Sequence, residues 1–167
     1  MSEIVNKVAA SGLITIDLET YFPPFAVKTL DIAEGLYEGL LLREKDFREF
    51  VKNHDWSHYR DTILAVHCSA DAIVPVWSYM LIATSAAPFV KQLTFGTATQ
   101  ALSEWYKKAI EGISLEVFHD ARVVVKGCGD KPVPDSAYVY LAQHLQPVVK
   151  SMMYGEPCST VPLYKKK

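Results

Sequence analysis

At 167 residues, half of them hydrophobic and 22% charged, with a formal net charge of −2, the chain has the composition of one soluble α/β-sized domain. That balance carries no electrostatic footprint for nucleic acid, and no stretch approaches the about 18 apolar residues of a membrane span. The opening residues lack a cationic start followed by a long apolar segment, so no signal peptide is expected, and three cysteines without CxxC spacing fit a reducing cytoplasm.

In chain order, Leu13–Asp17 and Val27–Ile32 read as strands separated by the Tyr21-Phe22-Pro23-Pro24 turn. Residues 33–41, AEGLYEGLL, fit helix and strand equally. Leu42–Asn53 predicts an amphipathic helix, with Phe47 and Val51 four apart on one face. Ile63–Val66 and Val123–Val125 are short apolar runs rich in β-branched residues, of the kind buried on both faces of a parallel sheet. After each come a cysteine-to-aspartate loop, a Val-Pro pair suited to a helix start, apolar residues at helical spacing and a second proline. Gln92–Phe95 and Ser151–Tyr154 read as further strands, each closed by glycine, and Thr99–Glu111 predicts a helix between the two segments.

The two segments, 63–96 and 123–155, are related. From Asp71 and Asp130 they align without a gap over 26 positions, of which nine are identical, including Pro75 and Pro134, Tyr79 and Tyr138, Lys91 and Lys150, and Gly96 and Gly155. Unrelated segments share roughly one or two. One extra residue before Asp71 brings Cys68 opposite Cys128. The pattern predicts a single α/β domain over 1–167: a mainly parallel sheet built from two internally repeated βαβ units with helices on its faces, plus an N-terminal α+β extension.

Open parallel sheets bind ligands beyond the carboxyl ends of their strands. Cys68 and Cys128 follow such ends directly, and Cys158 lies three residues beyond Gly155. Three thiolates on one rim would repel unless a cation neutralised them, which points to zinc or an iron–sulfur cluster, with Asp71, Asp130 or His67 as further ligands. The competing readings are that the cysteines are small buried hydrophobes and that the aspartates accept backbone N–H bonds at a helix entrance. A third is a thiol enzyme with Cys128 as nucleophile and Asp130 beside it. Tyr79 and Tyr138 read as core, and His54–Tyr59 as a helix end. Nucleotide, serine hydrolase and zincin motifs are missing from the sequence.

The segments LLREKDFREFVKNHDWSHY, HCSADAIVP, KGCGDKPVP, SAYVYLAQHLQPV and GEPCSTVPLYK resemble a bacterial family catalogued as domain-of-unknown-function family 2480. The resemblance covers nearly the whole chain but brings no activity, cofactor or catalytic residue. It implies a genomic setting near iron–sulfur assembly genes, and so partners among iron–sulfur assembly proteins. The leading expectation is therefore a cytoplasmic accessory protein holding a metal or cluster through Cys68, Cys128 and Cys158. The alternatives are a metal-free interaction module and a small thiol-dependent enzyme. A homo-oligomer is compatible with either, since exposed sheet edges favour pairing.

Overall fold

Two runs of apolar residues too short for helices, Ile63–His67 and Arg122–Lys126, form the central strands of two separate sheets. The computed structural model describes residues 6–8, 12–156 and 159–167. In chain order the elements are β1 (Asn6–Val8), β2 (Leu13–Asp17), β3 (Val27–Asp31), α1 (Glu44–Asn53), β4 (Ile63–His67), α2 (Val76–Ala86), β5 (Gln92–Phe95), α3 (Ala98–Glu111), β6 (Arg122–Lys126), α4 (Asp135–Leu145), β7 (Ser151–Glu156) and β8 (Ser159–Lys165). Short 3₁₀ turns follow β2 (Leu18–Tyr21) and β3 (Ile32–Gly35) and precede β4 (Trp56–Tyr59) and β6 (Glu116–Phe118).

The strands divide where the sequence predicts one sheet. β3, β4 and β5 form a parallel three-stranded sheet, and the other has the order β1-β2-β6-β7-β8. In the second, β2, β6 and β7 run parallel, while β1 and β8 add antiparallel edges. The N-terminal strands are therefore shared out. β2 completes the sheet of β6 and β7, and β3 that of β4 and β5. The physical reason is symmetric burial: β4 and β6 are apolar on both faces and need a hydrogen-bonded neighbour on each side.

The residues gather into two compact units, one continuous (Pro23–Trp105) and one discontinuous (Met1–Phe22 with Tyr106–Lys167). In the continuous unit, Leu64 and Val66 of β4 meet Phe47 and Val51 of α1 and Ile82 of α2 in one core cluster. Ile63 and Ala65, pointing the other way, pack with Ala101 of α3. α1 is amphipathic as expected, with an exposed Glu44–Arg48 pair at 3.0 Å. In the discontinuous unit the fully buried Tyr106 hydroxyl donates to the Leu18 carbonyl at 2.9 Å, and Ile16, Leu141 and Leu145 are likewise sealed from solvent.

Pro75 and Pro134 stand one position before the first helical residue, so that each carbonyl accepts from the N–H three residues on, Ser78 and Ala137, at 3.0 and 2.9 Å. The entrances to β4 and β6 are built alike. Asp61 and Asp120 adopt left-handed backbone (φ 56° and 55°), and their N–H groups donate to Phe89 and Val148 carbonyls at 2.9 and 2.7 Å. Residues 33–41, open in the sequence, hold a 3₁₀ turn and a single bridge between Tyr37 and Leu41. Among the described residues, no helix is long and apolar enough to cross a membrane.

Candidate functional site

The carboxyl ends of β2, β6 and β7 surround two adjoining clefts in the discontinuous unit. The ladder register sets Asp17 beside Lys126 and Val125 beside Tyr154, which brings the last side chains of three parallel strands to one rim. Asp17 ends β2 and caps the 3₁₀ turn after it, accepting the Glu19 N–H at 3.0 Å, while its other oxygen lies 3.7 Å from Lys126 Nζ. Glu19, thrown forward by that turn, accepts the Lys131 N–H at 3.2 Å and so fastens the loop after β6. That loop is Gly127-Cys128-Gly129-Asp130. A Cβ at 127 would stand 2.7 Å from Tyr138 Oη and 3.0 Å from Leu18 Cβ, so glycine there is needed for space. One at 129 would meet the movable carboxylate of Glu19.

The first cleft, of about 320 Å³, mixes polar and apolar surface evenly and carries the charged side chains Asp17, Glu19 and Lys126 beside Tyr154 on its wall. The second, of about 490 Å³, is mainly apolar, lined by Val125, Val133, Ala142, Met152 and Leu163. Gly127, Cys128, Gly129 and Tyr154 line both, so the exposed Cys128 sits where the two meet. A side-chain hydrogen bond with Cys128, then the charge a thiolate there would carry, raises the Tyr154 phenol above its ordinary range. The Tyr138 ring meets that of Tyr154 edge-on at 5.9 Å. Burial, then the neighbouring Tyr154, Cys128, Asp17 and Glu19, pushes the Tyr138 phenol up to about 12.

The carboxyl edge of the continuous unit has the same strand ends but different side chains. Asp31 pairs in register with His67 and caps its own turn by accepting the Ala33 N–H at 2.9 Å. It also accepts both the N–H and the hydroxyl of Ser69, and His67 Nε2 lies 4.0 Å away. Burial pushes the Asp31 carboxyl up, but the Ser69 and Ala33 hydrogen bonds and the His67 charge outweigh it, and the net shift is downward.

β4 and β6 end at His67 and Lys126, 59 residues apart, whereas the two cysteines are 60 apart, so Cys68 stands one residue past its strand and Cys128 two. Cys68 is half-buried against the core of the continuous unit, its sulfur toward the Ala70 carbonyl at 3.7 Å. Cys68 and Cys128 belong to different units, and Cys158 lies outside the described residues. Asp71 and Asp130 are exposed loop residues, and neither lines the two clefts. Among the described residues, no three His, Cys, Asp or Glu side chains gather to hold a metal ion. Asp17, Glu19, Lys126 and Tyr154 were not legible as site residues. The available signal was the Thr-x-Asp ending shared by LITID and VKTLD.

A family model described as a protein of unknown function (DUF2480) matches residues 2–166. The chain belongs to this family. No curated protein and no solved structure gives a significant match. The DUF2480 match spans both units, so both strand-end rims and both clefts fall within the family's boundaries.

Proposed function

We propose that this DUF2480 protein binds a small amphipathic molecule across the two clefts, with the Cys128 thiol and the Tyr154 hydroxyl facing the junction between its apolar and polar parts. The observation that carries this reading is the meeting of a cleft with charged walls and a mainly apolar one at Cys128, beyond the carboxyl ends of three parallel strands. Sheets of this kind form their ligand sites there. The apolar body lies along Val125, Ala142, Met152 and Leu163. The head group carries hydrogen-bond donors or positive charge to meet Asp17 and Glu19.

An internal comparison supports the same choice of rim. We read the two units as copies of one module at a spacing of 59 residues. Their strand entrances, helix caps and terminal glycines recur at that spacing. So do two surface grooves, one lined by Arg48, Val51, Leu81 and Ser85, the other by Lys107, Ile110, Tyr140 and His144. Of two edges with one plan, the first engages its aspartate with Ser69 and the second opens onto a cleft at Cys128. The three-thiolate reading gains nothing from this geometry, because Cys68 packs into a core and Cys128 bonds Tyr154.

The test uses the Met152 methyl group as reporter, since Met152 lines the apolar cleft. Amphipathic fragments at millimolar concentration should shift its resonance and saturate as for a single site. The same fragments should slow iodoacetamide modification of Cys128, which unprotected should react at least about tenfold faster than half-buried Cys68. A broad library that moves neither Met152 nor the Cys128 rate would refute the site.

A further inference from the structure

We propose that the protein is a two-fold homodimer in which α2 packs against α2 of a second copy. The continuous unit carries an apolar surface that its own fold leaves uncovered. Ile73 is 92% exposed, Val76 78% and Met80 67%. Val76 and Met80 lie one turn apart on the same helix face, and Ile73 precedes them in the loop. Phe95, 70% exposed, adjoins them through Tyr79, whose ring it meets edge-on at 5.0 Å. A surface helix normally shows water a charged face. This one has none: residues 72–90 contain no Asp, Glu, Lys, Arg or His.

α4 supplies the control. At the positions of Ile73, Val76 and Thr84 it carries Pro132, Asp135 and Gln143, and only Val139 matches Met80 as an exposed apolar side chain. The same helix position in the same strand–helix–strand setting thus takes a carboxylate in one unit and a valine in the other. Helix stability does not require apolar residues there.

Two arguments choose a second copy as the occupant. A two-fold interface sets each residue near its own symmetry mate, so a surface bearing charge meets like charge. A helix without a charged side chain of its own escapes that penalty, and its Val76–Met80 face can meet its own symmetry mate. The area also suffices. Four such side chains offer roughly 500–600 Å² per copy, the upper range for an apolar patch on a monomer. Two copies together bury roughly 1,000–1,200 Å², the lower bound of a specific interface.

Sedimentation equilibrium of the full chain between about 1 and 200 µM tests this directly. The expected result is a reversible dimer. Val76→Asp and Met80→Glu should each raise the dimer dissociation constant by at least about thirtyfold, because each places two carboxylates in an apolar contact. Val76→Asp keeps the helix intact, since α4 carries Asp135 at the matching place and an acidic residue suits a first turn. Circular dichroism should therefore match the parent. Val139→Asp on α4 should leave association unchanged. A chain that stays monomeric at 200 µM overturns the proposal, as does a dimer that survives both α2 substitutions. Co-sedimentation of a monomer with phosphatidylcholine vesicles would also overturn it, by assigning the face to lipid.

Discussion

At the scale of single residues, the junction of the two clefts is defined by what stands closest to it. Gly127 leaves room for the Tyr138 hydroxyl, and Tyr154 turns its own hydroxyl to Cys128. Tyr138 ionises only at about 12, because burial and the negative groups around it disfavour a phenolate. An unfolded tyrosine ionises near pH 10. The neutral phenol therefore stabilises the fold fully below about pH 10, and that contribution is lost as the pH rises toward 12. The urea midpoint should fall across that window, and Tyr138→Phe should flatten the decline. An unchanged decline in Tyr138→Phe would mean that the group does not sense its surroundings as described. The same substitution leaves the ring against Tyr154, so any change in fragment binding would isolate the hydroxyl.

Among the elements, Gly96 just after β5 and Gly155 near the end of β7 look interchangeable in the sequence and are not so in space. Gly96 and Gly155 both hold positive φ, 132° and 112°. An added Cβ at 96 meets the end of the Gln100 side chain, which can swing away, whereas at 155 it lies 2.7 Å from the Ser159 backbone carbonyl. Gly155→Ala should cost about 2–3 kcal/mol and Gly96→Ala about 1–2 kcal/mol, the φ strain alone. Equal losses in thermal or urea unfolding would contradict this ranking. The helices and parallel strands were legible because their apolar periods differ: Phe47 and Val51 four apart in α1, unbroken apolar runs in β4 and β6. β8 was not, because Pro162 demotes the run to a loop when read alone. The structure tolerates it on an edge strand, opposite Met153, beside a break in register. Asp17 and Glu19 escaped notice for another reason. Their partners Lys126 and Lys131 lie more than a hundred residues away, and no local period reports a long-range ladder.

For the molecule as a whole, the nesting of one unit within the other predicts unequal independence. The continuous unit, Pro23–Trp105, holds three parallel strands, both helices α1 and α2, and its own core. Expressed alone, it should show native-like circular dichroism and a cooperative urea transition, as a domain with a private core does. A fragment that remains unfolded would show that the two units hold one another up. The discontinuous unit has no such fragment. Its first parallel strand ends at Asp17, and the partner strand begins only at Arg122. On the ribosome this separation becomes time. At about 5–20 residues per second, β2 waits roughly 5–20 s for β6, while everything needed by the inner unit has already been made. The rim that carries Asp17, Cys128 and Tyr154 is therefore assembled only after the whole continuous unit has been synthesised.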